Sequence, residues 1–114
     1  MKLAIVGSRG WKDWIAVLSR VHKLKPDVVI TGGAAGADRM GMDAAERCNV
    51  FVEVYYPDWK KYGRRAGAVR NKQIVDACDK LIAFWDGASP GTKISIDMAK
   101  AQNKLLEVVT AQGG

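Results

Sequence analysis

The sequence predicts an α/β fold, a mainly parallel five-stranded sheet with helices on both faces. Three observations carry this expectation. Short apolar runs alternate with amphipathic stretches along the whole chain. Runs such as Leu3-Ala4-Ile5-Val6 and Val28-Val29-Ile30 are apolar at consecutive positions, as in strands covered on both faces. Three of the strands lead into turns rich in glycine and short polar residues. Alternation at this spacing implies right-handed crossovers and a parallel sheet.

Each element follows in order from its local pattern. Lys2–Val6 reads as the first strand and Gly7-Ser8-Arg9-Gly10 as its turn. A helix is expected from Trp11 to Lys23, with Trp11, Trp14, Ile15, Leu18 and Val21 as its apolar stripe. Pro26 stops it. Asp27–Thr31 is the second strand. Its turn, Thr31-Gly32-Gly33-Ala34-Ala35-Gly36-Ala37-Asp38, opens a helix from Asp38 to Cys48 whose inner side is small, with Ala37, Met40, Gly41, Ala44 and Cys48. Val50–Tyr55 alternates and reads as an edge strand. A basic connection, Lys60–Arg65, leads to a helix over Ala66–Asp79 with Val69, Ile74, Ala77 and Cys78 inward. Lys80–Trp85 is the fourth strand. The turn Asp86–Thr92 precedes a helix over Thr92–Asn103, with Ile94, Met98 and Ala101 inward, and Leu105–Val109 is the last strand. Ala111–Gly114 reads as a loose tail.

Bulk properties narrow the class. The chain has 114 residues, which fits one domain spanning 1–114 and suffices to bury a core without disulfide or metal staples. No apolar run approaches the ~20 residues of a membrane span. The N-terminal apolar run is too short for a signal peptide, so a cytoplasmic location and no membrane partner are expected. Cys48 and Cys78 lack metal-ligand spacing and read as small buried thiols. His22, the single histidine, lies beside Lys23 and Lys25 and reads as a solvated helix-end residue. No metal site and no cofactor are expected. The formal net charge is +6, and Lys60, Lys61, Arg64, Arg65, Arg70 and Lys72 fall within residues 60–72 with no acid among them. One cationic segment beside glycine turns fits a local anionic ligand at least as well as a long nucleic-acid track.

In a parallel sheet the three glycine turns share the carboxyl edge of the strands, where ligands bind. Gly32, Gly33 and Gly36 allow close approach of a ligand to the backbone, and a following helix N-terminus adds N–H donors and partial positive charge. A tight turn with close helix–strand packing would use the same glycines. The pattern is neither Gly-x-Gly-x-x-Gly nor a P-loop, so it specifies no particular nucleotide. Asp38 serves as a helix N-cap, as an acceptor for a sugar or base, or as both. Ser8 and Arg9, after Gly7, put a hydroxyl and a guanidinium at the first turn. Asp86, Gly87, Ser89, Gly91 and Thr92 form the third turn, with Thr92 a candidate N-cap and Asp86 a base if its pKa is raised. Arg70 and Asn71 are the pointed members of the basic segment. Trp11, Trp59 and Trp85 adjoin the same edge, as core residues or as a platform for a base.

Taken together, Gly7-Ser8-Arg9, Thr31–Asp38, Pro57-Asp58-Trp59, Gly63 through Ala66-Gly67, Arg70-Asn71, Trp85-Asp86-Gly87, Ser89 and Gly91-Thr92 resemble the SLOG superfamily. Its small single-domain YspA-like branch is the best match, over about residues 2–109. The resemblance implies a Rossmann-like three-layer sandwich with a pocket for a nucleotide or nucleotide-derived ligand such as an ADP-ribose-like molecule. It also implies relatives that cleave N-glycosidic bonds, sense nucleotide signals or bind DNA, and a homodimer. The phosphoribohydrolase branch carries Pro-Gly-Gly-x-Gly-Thr-x-x-Glu, but Ser95 stands at the glutamate position here. Hydrolysis would therefore fall to Asp38 or Asp86. The expected order is nucleotide-like small molecule first, N-glycosidic hydrolysis second and nucleic acid third.

Overall fold

Parallel pairing throughout joins β1 (Lys2–Gly7), β2 (Val28–Thr31), β3 (Phe51–Val54), β4 (Lys80–Trp85) and β5 (Leu105–Thr110) into one sheet of order β3-β2-β1-β4-β5. This is a computed structural model, and it describes residues 1–110; the tail expected at Ala111–Gly114 lies outside the described residues. The chain runs outward from β1 to one edge, returns, and fills the other side. The topological switch therefore falls between β1 and β4.

Alternation along β1 shows how two layers form. Leu3 and Ile5 face α1 (Trp14–Leu24) and α2 (Ala37–Arg47), packing with Val17, Val21, Ala44 and Phe84. Ala4 and Val6 face the opposite way, with Ile74 and Val75 of α4 (Ala66–Ala77) and Ile96 and Ala99 of α5 (Pro90–Ala101). The three-layer sandwich follows directly from the consecutive apolar positions, one for each face. Among the described residues, no helix is long and apolar enough to cross a membrane.

Several boundaries and helix phases differ from the sequence expectation, each for a local reason. The first helix begins at Trp14, because the Asp13 carboxylate accepts the Ala16 N–H at 3.0 Å and caps it. Trp11 lies outside the helix and packs on Phe84, with ring centroids 5.5 Å apart. With this start the buried stripe runs through Val17 and Val21, and Ile15, one residue out of phase, is 66% exposed. Likewise α5 starts at Pro90, a favoured first helical residue. Its inner side carries Ser95, Ile96 and Ala99, and Ile94 turns outward. Thr92 is consequently a buried first-turn residue and not the N-cap, a position held by Ser89. The basic connection contains a one-turn helix, α3 (Trp59–Tyr62), and a 3-10 turn over Gly63–Arg65. The Asp58 carboxylate caps α3 by accepting the Lys61 N–H at 3.0 Å.

Small residues let α2 approach the sheet as expected. A Cβ added at Gly41 would stand 2.9 Å from Ile5 Cγ2, inside any real packing distance. Gly41→Val should therefore lower stability by about 1–3 kcal/mol through overpacking, as measured by urea unfolding.

Candidate functional site

The turns after β1, β2 and β4 meet at the carboxyl edge of the sheet, and Ser8 fastens them together. Ser8 is 2% exposed. Its N–H donates to the Phe84 carbonyl of β4 at 2.9 Å. Its carbonyl accepts from Trp11 at 3.2 Å and from Ala37, at the start of α2, at 3.3 Å. Its hydroxyl oxygen accepts the Asp86 N–H at 3.0 Å and lies 3.1 Å from Ser89 Oγ. Gly36, at φ 80°, brings the second turn against the carbonyls of Ser8 and Arg9, a conformation and proximity open only to glycine.

Above this junction lies a cleft of about 690 Å³, within the span of roughly 300–1,000 Å³ usual for small-molecule sites. It is lined by Gly7, Ser8, Arg9, Gly32, Gly33, Asp38, Arg70, Asn71, Asp86, Ser89, Gly91 and Thr92. Two of the residues expected there are not in its wall: Gly36 lies beneath the first turn, and Gly87 is confined to the tip of its own turn at φ 85°. The first turns of α4 and α5 contribute Gly67 and Ala68, and Pro90, Gly91 and Thr92. First-turn N–H groups lack intrahelical acceptors, so both helices present donors and partial positive charge to this edge.

Charge in the cleft is concentrated around Gly32. Arg70, on α4, donates from Nη1 to the Gly32 carbonyl at 2.8 Å and from Nε to Asn71 Oδ1 at 3.0 Å. A Cβ at Gly32 would lie 2.7 Å from Asp38 Oδ2 and equally against the Arg70 guanidinium, so the missing side chain makes room for both. Asp38 is in the first turn of α2, after Gly36 at the N-cap, and is not itself the cap. It is 6% exposed. Burial pushes its carboxyl from 3.8 up to about 6, although Arg70 and the N–H groups of Ala34, Gly32 and Gly7 pull it down. Burial lowers the pKa of Arg70; Asp38 supports its charge and the neighbouring Arg9 opposes it.

Asp86 differs in kind. Its carboxylate accepts the N–H groups of Ala88 at 2.8 Å and Ser89 at 2.7 Å, and the Ser89 hydroxyl at 2.8 Å. These bonds hold its pKa at about 2, opposite to the rise that a base would need. Asp86 is the acid that shapes the third turn, and Asp38 is the buried carboxyl whose pKa is raised. Ser95, at the position of the glutamate in the phosphoribohydrolase motif, is 2% exposed and bonds back to the Gly91 carbonyl at 3.4 Å.

The basic segment divides. Arg70 alone lines the cleft, and Lys72 pairs with Asp76 at 2.6 Å along α4. Lys60, Lys61, Arg64 and Arg65 are exposed on α3 and the 3-10 turn, outside the cleft wall. Of the three tryptophans near this edge, Trp11 is core and Trp85 donates from Nε1 to the Ser89 carbonyl at 3.1 Å. Trp59 lines the cleft, together with Tyr56 and Ile94, which sequence reasoning did not single out. Tyr56 follows β3, so the carboxyl-edge rule that collected the other turns would have found it.

A family model described as YspA, cpYpsA-related SLOG family matches residues 1–62, from β1 through α3. The chain belongs to this SLOG family. Gene 61 protein of Mycobacterium phage D29 is 38% identical over 119 residues, covering 95% of this chain and 94% of that protein. Among solved structures, DNA processing protein A (DprA) from Streptococcus pneumoniae superposes with a TM-score of 0.79 at 20% identity, over 99% of this chain and 50% of that one. The same protein from Helicobacter pylori, described for its single-stranded DNA binding mode, gives 0.75 at 18%, over 94% of this chain and 64% of that one. The SLOG chain thus spans about half to two thirds of those structures, and the likeness establishes a shared Rossmann-like fold.

A raised folded-state pKa fixes the sign of a pH effect. Asp38 favours the folded state when protonated, so its contribution is full below about pH 3.8 and is lost as pH rises through about 6. Asp38→Asn should match wild type near pH 4 and exceed it at pH 7 by on the order of 1–3 kcal/mol, as read from urea unfolding at the two pH values. A variant less stable at pH 7 would instead place the attraction to Arg70 above the cost of burial.

Proposed function

We propose that the cleft binds a nucleotide or nucleotide-derived ligand through its phosphate, in the manner of a sensor or binding module. The observation that carries this reading is the convergence of two guanidinium groups on one cleft. Arg9 and Arg70 line one cleft and Arg9 opposes the charge on the half-buried Arg70, an arrangement that an anionic ligand would relieve. The glycine turns and the first turns of α4 and α5 supply N–H donors around the same space. Residues 7–9, 32–33, 70–71 and 89–92 form the phosphate end, with Asp38 at the floor.

A second reading, hydrolysis of a nucleotide N-glycosidic bond, rests on Asp38. A buried carboxyl with a pKa of about 6 is suited to proton transfer near neutral pH. Asp86, held at about 2, fits the role of a fixed negative charge or of a turn support only. A third reading, nucleic-acid binding, draws on the exposed cations of α3 and on the single-stranded DNA binding described for the Helicobacter pylori protein. It predicts affinity that falls steeply with salt.

Thermal unfolding with nucleoside monophosphates tests the primary reading. A ligand at about 100 times its Kd adds ~2.7 kcal/mol of stability, and Arg9→Ala should remove most of that shift, since Arg9 is exposed and its loss leaves the core untouched. The absence of any shift at millimolar concentration would reject the reading. Release of free base in the same mixtures, stopped by Asp38→Asn, would move the conclusion to the hydrolase.

A further inference from the structure

Three large apolar side chains that the fold leaves in solvent line the cleft at the carboxyl edge. Tyr56 is 67% exposed, Trp59 58% and Ile94 46%, and all three line it. They come from three separate segments: the exit of β3, α3 and the outward side of α5. The phase of α5 that turns Ile94 away from the core is the phase that delivers it to the cleft.

Both rings lie toward glycines of the cleft wall. A Cβ at Gly33 would stand 2.7 Å from Tyr56 Cε1, and the nearest atom to a Cβ at Gly67 is Trp59 Cη2 at 4.0 Å. Tyr56 therefore lies against the backbone of the second turn, and the outer end of the indole lies over the first turn of α4. Asp58 fixes the start of α3 by its bond to the Lys61 N–H, so Trp59 is held at a capped helix start. Exposed aromatic rings lose hydrophobic stabilisation unless something covers them. Arg9, Arg70 and the first turns of α4 and α5 line the same cleft, so a group that covers the rings also comes within reach of cationic and N–H donor groups.

From this juxtaposition we infer that Trp59, with Tyr56 and Ile94, forms a stacking platform for a nucleobase whose phosphate lies toward Arg9 and Arg70. This inference rests on the nucleotide reading and adds the orientation of the ligand, phosphate toward the guanidinium groups and base on the exposed aromatic side. It also assigns the mode of recognition. A ring stacked at an open rim is read by its face, which every base possesses, so selectivity among bases is weak and purines, with the larger face, bind better. The same platform accepts the base of a free nucleotide or the terminal base of a strand.

Calorimetric titration with adenosine 5′-monophosphate and with ribose 5-phosphate, which lacks the base, separates the platform from the phosphate site. For Trp59→Ala the expected result is an affinity for adenosine 5′-monophosphate about tenfold weaker, with ribose 5-phosphate binding unchanged. Trp59→Phe should recover most of the loss. A 5′-phosphorylated oligothymidylate in parallel distinguishes a strand end from a free nucleotide as the source of the base: tighter binding than that of thymidine 5′-monophosphate, lost in Trp59→Ala, supports the platform acting on a strand, and equal binding of the two supports it acting on the free nucleotide. Equal weakening of adenosine 5′-monophosphate and ribose 5-phosphate, or no change in either, would overturn the inference while leaving the nucleotide reading standing. Failure of every probe to bind wild type would overturn both.

Discussion

The buried hydrogen-bond junction at Ser8 is the constraint on which the site depends. Four of its bonds lead to different parts of the chain: to β4 through Phe84, to the start of α2 through Ala37, to the third turn through Asp86, and to the run before α1 through Trp11. A buried serine with its polar atoms so engaged is stabilising only while every partner stays in place. The first turn therefore cannot move without the second and third. The carboxyl edge at the switch between β1 and β4 is thus tied into one rim beneath the cleft. The Ser8 hydroxyl also serves the third turn, by accepting the Asp86 N–H.

Around that rim the chain tolerates electrostatic arrangements that do little for stability. Arg70 and Asp38 flank Gly32, each partly stripped of water, and burial outweighs their mutual attraction in setting the Asp38 pKa. Arg9 adds a second cation beside the first. Removing ions from water is expensive and pairing repays it incompletely. The proposed anionic ligand would draw on such groups concentrated in one cleft. The exposed rings of Tyr56 and Trp59 line the same cleft and would meet the apolar part of the proposed ligand.

Much of this was legible in the sequence because it depends on local chemistry. Consecutive apolar positions in Leu3–Val6 and Leu81–Phe84 announce strands buried on both faces, and glycine turns after strands announce the edge that carries the cleft. Alternation in Val50–Tyr55 announced an edge strand, and β3 is one, with Phe51 82% exposed. Helix phase was harder. Ile15 and Ile94 look like core residues by spacing, but packing turns Ala16, Val17 and Val21 of α1 and Ser95, Ile96 and Ala99 of α5 inward, which leaves both outward. The fates of the two acids were not legible either. Asp38 and Asp86 each stand near a glycine turn, yet one is buried beside an arginine and the other is clasped by backbone N–H groups. Only the three-dimensional surroundings separate a raised pKa from a depressed one. Strand order likewise comes from pairing between distant segments, which periodicity does not encode.

Amide chemical-shift mapping of isotopically labelled protein titrated with adenosine 5′-monophosphate tests the central claim most directly. A ligand held at one rigid rim predicts concerted shifts at Arg9, Gly32, Gly33, Gly67, Gly91 and Thr92, saturating at a single concentration, with the helix faces of α1 and α2 silent. Shifts confined to Lys60, Lys61, Arg64 and Arg65, or spread over the α1–α2 face, would contradict it.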